Sequence, residues 1–69
     1  MNINWQEGFK ISFKIENDQG ILSANKEGLL SLANQLYELA QADNGSHIHY
    51  DIKNSLENDS SELIIEKQS

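Results

Sequence analysis

The hydrophobic pattern of this chain changes its period twice, and this change restricts its fold more than any other feature. Residues Phe9 to Glu16 alternate strictly between apolar and polar side chains, which predicts a strand with one buried and one solvated face. The turn-forming segment Asn17 to Gly20 and the short run Ile21 to Ser23 complete a predicted β-hairpin. The chain therefore starts with a sheet element.

The middle of the chain has the period of an α-helix, from Lys26 to about Asp43. Asn25 is the expected N-cap, with Ser23 as its rival, and Asn44-Gly45 is the expected left-handed stop. Gly28 in the first turn has two interpretations. We favour tolerance of glycine in a fraying turn, and the alternative is another backbone passing close by.

The predicted helix divides into two halves of different polarity. The half expected to pack on a sheet is apolar and contains Leu29, Leu30, Leu32, Ala33, Leu36, Tyr37, Leu39 and Ala40. The half expected to face solvent is polar and contains Glu27, Ser31, Asn34, Gln35, Glu38 and Gln41.

Two further strands are predicted after the helix. Ser46 to Ile52 alternates again, Lys53 to Ser61 is an unpatterned polar loop, and Glu62 to Lys67 is a strand with an apolar middle. That middle fits a strand covered on both faces, or an edge strand with a partner.

These elements predict a single α+β domain over residues 1–69, with an N-terminal arm (1–8) and a tail (68–69). In this ββαββ fold one helix packs on a four-stranded antiparallel sheet of order 2-1-3-4, and the opposite sheet face stays open. The strand residues expected to be buried under the helix are Phe9, Ile11, Phe13, Ile15, Ile48, Tyr50 and Ile52.

The charge balance narrows the function. Eleven acids, five lysines and no arginine give a net charge of -6, so nucleic acid and anionic membranes are not expected partners. Residues 35–69 hold seven of the acids and two of the lysines, which suits a basic protein partner. The N-terminus has no basic start or apolar run, so we expect no signal peptide. We therefore expect a cytoplasmic location.

The row His47, His49 and Asp51 is the sharpest local feature, because alternate strand residues point the same way. It has three interpretations: a metal ladder, an ordinary solvated face, or a contact patch beside Lys10, Lys14 and Glu16 of the neighbouring strand. We prefer the contact patch to the metal.

Other candidate residues point to binding rather than chemistry. Asp43, Glu57, Asp59 and Glu62 form a loose acidic set near the last hairpin, which is either a solvated loop or a plug for a basic groove. Trp5 is expected to staple the edge of the core, with an interface anchor as the alternative. One helix on one sheet encloses no cleft for perturbed acids and bases, so neither an enzyme nor a cofactor is expected.

Three segments together resemble the immunity protein 32 family of bacterial polymorphic toxin systems. They are Ala24 to Leu36, Ser46 to Asp51 and Ser61 to Lys67, and the likeness runs from about Gly20 to Lys67. The resemblance implies a small cytoplasmic protein that binds a cognate toxin domain and blocks it. It carries over no catalytic residue, and the histidine row matches it only as a contact or stabilising element.

The sequence thus favours a non-enzymatic immunity protein that occludes a toxin domain. If that toxin is a nuclease, its groove is expected to be basic. The expected contact residues are His47, His49, Asp51, Lys10, Lys14, Glu57, Asp59 and Glu62. One alternative is a homo-oligomeric interaction module, such as a homodimer, joined through the last strand or the open sheet face. A less favoured alternative is a metal-binding protein that uses the histidine row.

Overall fold

The structure is a computed structural model that describes residues 3–69, and its element order is the predicted ββαββ. The bounds are β1 (Ile11–Glu16), β2 (Gln19–Ala24), α1 (Lys26–Ala40), β3 (His47–Tyr50) and β4 (Leu63–Glu66). The α+β class is confirmed. The helix begins at the predicted residue and ends before the expected Asp43, because Gln41 already forms the C-cap.

The first hairpin turns more tightly than the sequence suggested. Glu16 pairs with Gln19, and the two residues between them, Asn17 and Asp18, have φ values of 51° and 62°. Two consecutive positive φ values define a type I′ turn, whose twist matches that of the flanking strands. Asn and Asp are the side chains that tolerate this conformation best after glycine.

The single sheet of order 2-1-3-4 is wrong. The structure has two separate two-stranded antiparallel sheets, β1–β2 and β3–β4. The outer edge of β1 is occupied by the loop before β4, where Glu57 N–H donates to Ile11 O at 2.8 Å and Ser61 N–H donates to Phe13 O at 2.7 Å. Phe13 N–H donates in turn to Ser60 Oγ at 3.2 Å. Because these bonds saturate the edge, β3 cannot pair there.

The core lies between the helix, β1 and the inner side of β3, and its buried apolar residues are Ile11, Leu32, Leu39, Ile48, Tyr50 and Leu56. Phe9 and Phe13 are only half-buried, and Ile15 and Ile52 are exposed, contrary to expectation. Ile15 lies at the turn end of the first hairpin, and Ile52 lies past the end of β3. Leu56 comes from the loop that was expected to be purely polar.

The helix buries a different face from the one its sequence predicts. Its buried residues are Gly28, Ser31, Leu32, Gln35 and Leu39. Most of the predicted apolar half faces solvent, with exposed fractions of 54% for Leu29, 44% for Leu30, 44% for Leu36 and 67% for Tyr37. Ala33 and Ala40 are exposed as well.

The N-terminal arm explains this rotation. Gln6 N–H donates to Ser31 Oγ at 2.8 Å, and Gln35 Nε2 donates to Asn4 O at 2.8 Å. The two polar helix residues are therefore buried with partners, as buried polar groups must be. Trp5 stacks on Phe9 with ring centroids 4.3 Å apart and packs against the core, as expected of a staple.

The start of the helix is held against β1, which decides the role of Gly28. A Cβ on Gly28 would lie 2.7 Å from Lys10 O and 2.8 Å from Ile11 Cγ1. Close passage of the backbone at Lys10, directly before β1, is therefore the reason for the glycine, and the favoured fraying-turn interpretation is wrong.

Asn25 is confirmed as the N-cap. Its Oδ1 accepts from Gly28 N–H at 2.8 Å and from Lys10 N–H at 3.0 Å. Its Nδ2 donates to Gly8 O at 2.9 Å. One side chain thus joins the arm, the start of β1 and the helix.

Candidate partner-binding surface

The second hairpin presents one solvent-facing side, which we call the outer face of β3–β4: His47, His49, Ile64 and Glu66. In the antiparallel register His47 lies opposite Glu66 and His49 lies opposite Ile64. Directly opposite residues share a face of the sheet, and all four are exposed. The alternate residues, Ile48 and Tyr50 among them, face the core.

The two histidines form a contiguous aromatic surface, as the alternation predicted. Their ring centroids are 4.8 Å apart with the rings nearly perpendicular. His47 Nδ1 lies 3.3 Å from Gly45 O, which anchors that ring at the base of the strand. Ring nitrogens can donate or accept hydrogen bonds according to tautomer, so the pair can adapt to a partner of either polarity.

Asp51 does not extend the histidine row. It follows the end of β3, and its Oδ1 accepts from Lys53 N–H at 2.9 Å and from Asn54 N–H at 3.0 Å. Its own carbonyl accepts from Leu56 N–H at 2.8 Å. Asp51 therefore shapes the turn that delivers Leu56 to the core, and it does so as an Asx turn.

The three-residue metal ladder is accordingly not formed. Within residues 3–69, no group of three or more His, Cys, Asp or Glu side chains is arranged to hold a metal ion.

A shallow groove of about 310 Å³ borders the histidine pair, between β3 and the arm. Ile3 and Trp5 line one side, and His49 and Tyr50 line the other. The Trp5 and Tyr50 rings meet edge to face at 6.1 Å. The groove is open to solvent and mostly apolar, so it suits a single side chain from a partner rather than an enclosed substrate.

The predicted lysines lie away from the histidine row in the sheet topology. Lys10 directly precedes β1 and Lys14 lies within it, both exposed, but β1 pairs with β2 and not with β3. The lysines and the histidines are therefore not on hydrogen-bonded neighbouring strands, as the contact-patch interpretation had assumed. The structure instead brings Lys10 and Glu57 to one surface depression beside the start of β1.

The predicted acidic set is spread over three segments of the chain, and Asp43 is exposed between α1 and β3. Glu57 and Asp59 are exposed on the loop that runs along the edge of β1, and Asp59 has a φ of 73°. Glu62 is exposed directly before β4, next to the outer face of that strand.

Sequence reasoning missed two members of the outer face, Ile64 and Glu66. The strand alternation of β4 was a usable signal for both, since residues two apart share a side. The apolar run around Ile64 obscured it, because such a run fits burial on either face.

Comparison with known proteins supplies the family. The sequence profile named immunity protein 32 matches residues 21–68, which is well over half of the 69 residues. The chain belongs to the immunity protein 32 family. No curated protein and no solved structure matches it.

The matched region of this family member includes α1, β3, the loop between β3 and β4, and β4 itself. It therefore contains the whole outer face of β3–β4, whereas the arm and β1 lie outside it. In the part of the chain that the structure describes, no helix has the length and apolar character needed to span a membrane.

Proposed function

We propose that this chain is an immunity protein that binds a cognate toxin domain in the cytoplasm and blocks it by occlusion. Membership of the immunity protein 32 family carries this proposal. The chain would act as a rigid plug over the toxin's substrate site, with no chemical step of its own.

The outer face of β3–β4 is the surface that we assign to the toxin. Its centre holds Ile64, 49% exposed, opposite His49, and its edge holds Glu66 and the neighbouring Glu62. An apolar and aromatic centre with a polar rim is the usual composition of a protein–protein interface. Backing by the buried Ile48 and Tyr50 keeps this face rigid, which lowers the entropic cost of binding.

The charge distribution supports a basic partner. The protein has a net charge of -6, and the acids concentrate in the half that contains the outer face. An electropositive groove on the toxin would steer the two proteins together and raise the association rate. Glu57 and Asp59, exposed beside β1, extend this acidic field, and we assign them with Lys10 and Lys14 to the periphery of the toxin contact. His47 belongs to the primary contact, while Asp51 supports it by fixing the adjoining turn.

The proposal is tested by co-expressing the chain with the toxin domain encoded beside its gene. Cells that make both are expected to grow, and cells that make the toxin alone are expected to die. Killing at full potency in the presence of the folded chain would overturn the proposal.

A matched pair of variants tests the assigned surface. Ile64→Lys adds a cation at the centre of the outer face, and Ile21→Lys makes the same change on β2, where Ile21 is 42% exposed. Protection is expected to be lost with the first variant and kept with the second. Equal protection by both would place the toxin contact elsewhere.

A further inference from the structure

The helix carries an exposed apolar surface that the fold does not use, which we call the helix stripe: Leu29, Leu30, Ala33, Leu36, Tyr37 and Ala40. At about 100° per residue these positions span about 120° of the cylinder, and all are exposed. The arm covers the opposite side through Ser31 and Gln35. Contiguous exposed apolar residues, unlike scattered ones, are typical of an interaction site.

The large side chains of the helix stripe are placed symmetrically about Ala33. Two large side chains, Leu29 and Leu30, precede Ala33 by four and three residues, and two more, Leu36 and Tyr37, follow it by three and four. A surface with this order is self-complementary when a second copy is turned around an axis through Ala33. An interface with two-fold symmetry is formed by the same patch on both copies, so that patch must be self-complementary.

We propose that the helix stripe binds a second copy of this chain, with the two helices antiparallel and Ala33 at the two-fold axis. Leu30 then lies opposite Leu36 of the second copy, and Leu29 lies opposite its Tyr37. The small Ala33 side chains let the two helix axes approach closely at the crossing point. The four large side chains of each copy then pack on both sides of this crossing point.

The charges at the helix ends favour the antiparallel arrangement. Lys26 is the first residue of α1, and no basic residue lies in the last turn. The helix dipole repels a cation at the N-terminus of the helix and attracts a cation at the C-terminus. The antiparallel pair places Lys26 beside Ala40 of the second copy, at the negative end of that helix.

The arrangement leaves the proposed toxin surface free, since the helix stripe and the outer face of β3–β4 share no residue. The dimer would therefore present two toxin-binding faces. A contact confined to one 15-residue helix is smaller than the ~800 Å² per partner of a standard interface, so we expect an equilibrium between monomer and dimer at micromolar concentration.

Sedimentation velocity across a dilution series, with a matched pair of variants, tests the proposal. Ala33→Glu sets two carboxylates against each other at the axis, and Asn34→Glu adds the same charge one residue away, at an exposed position outside the helix stripe. We expect Ala33→Glu to weaken the dimer at least ~30-fold and Asn34→Glu to change it less than ~3-fold. A wild type that stays monomeric at millimolar concentration, or a dimer unaffected by Ala33→Glu, overturns the proposal.

The chain has no cysteine, so single cysteines report the orientation of the helices. Ala33→Cys is expected to form a disulfide-linked dimer under mild oxidation. Lys26→Cys and Ala40→Cys are each expected to remain unlinked alone and to cross-link when the two variants are mixed. Self-linking of Lys26→Cys and Ala40→Cys would indicate parallel helices and would contradict the proposal.

Discussion

Tyr50 Oη donates a hydrogen bond to Gln35 Oε1 across 2.8 Å, and both side chains are 1% exposed. The same Gln35 amide donates to Asn4 O in the arm. A buried amide thus connects β3, the helix and the arm, with both of its ends satisfied. This link explains why a glutamine lies in the core while leucines on the same helix face solvent.

Removal of the Tyr50 hydroxyl should destabilise the fold. Tyr50→Phe keeps the ring but leaves Gln35 Oε1 buried without its donor, which costs about 1–3 kcal/mol. Urea unfolding measures this change in the free energy of unfolding. Tyr37→Phe is the control, because Tyr37 is 67% exposed and its substitution should leave the stability within about 0.5 kcal/mol. Equal effects of the two substitutions would refute a structural role for the hydrogen bond.

The same tyrosine predicts a loss of stability at alkaline pH. Burial raises the pKa of Tyr50 above its usual 10.0, because the charged phenolate is poorly solvated there. The unfolded chain then loses this proton at a lower pH than the folded chain. The stability that the protonated Tyr50 contributes is fully present below pH 10.0. It is lost as the pH rises from there through the folded-state pKa.

Urea unfolding as a function of pH checks this dependence. Lysines also titrate in the same range, so the informative quantity is the difference between the wild type and Tyr50→Phe. The wild type should lose stability more steeply with pH above the usual tyrosine pKa. Parallel curves for the two proteins would show that Tyr50 does not contribute to the alkaline transition.

Gly28→Ala should be destabilising, although alanine ordinarily favours a helix by about 1 kcal/mol. The added methyl group meets Lys10 O at 2.7 Å, and backbone cannot move as a flexible side chain does. Overpacking of this kind costs about 1–3 kcal/mol. Thermal unfolding should show a lower Tm for Gly28→Ala and an unchanged or higher Tm for the exposed control Asn34→Ala. A rise in Tm for Gly28→Ala would show that the backbone at Lys10 does not pack this closely against the helix.

Asn25→Ala should cost about 2 kcal/mol, at the upper end for an N-cap, because the side chain also binds Lys10 and Gly8. Ser23→Ala is the matched control: Ser23 is the rival cap in the sequence and is exposed in the structure. Chemical denaturation measures the free energy of unfolding of both variants, and only Asn25→Ala should lower it by this amount. A larger effect at Ser23 would mean that the helix starts elsewhere.

Local features of the fold were predictable from sequence, and features set by distant contacts were not. The alternation of Phe9 to Glu16 and the cap at Asn25 depend on near neighbours, so they predicted the hairpin and the helix start. The buried helix face depends on Ser31 and Gln35 meeting backbone groups of the arm. Periodicity assigns such polar residues to solvent because it contains no information about their partners.

The sheet topology failed for a related reason. The loop around Glu57 and Ser61 binds the edge of β1 through backbone groups, which leave no periodic side-chain pattern. For the site, alternation correctly placed His47 and His49 on an exposed face. It could not show that the strand ends at Tyr50 and that Asp51 turns away to bind the loop.

Inhibition of the purified toxin domain tests the central claim most directly. Its activity should fall in proportion to the added chain and vanish at one chain per toxin domain. Ile64→Lys should fail to inhibit, and Ile21→Lys should inhibit like the wild type. Full toxin activity in the presence of a molar excess of the folded wild-type chain would contradict the account.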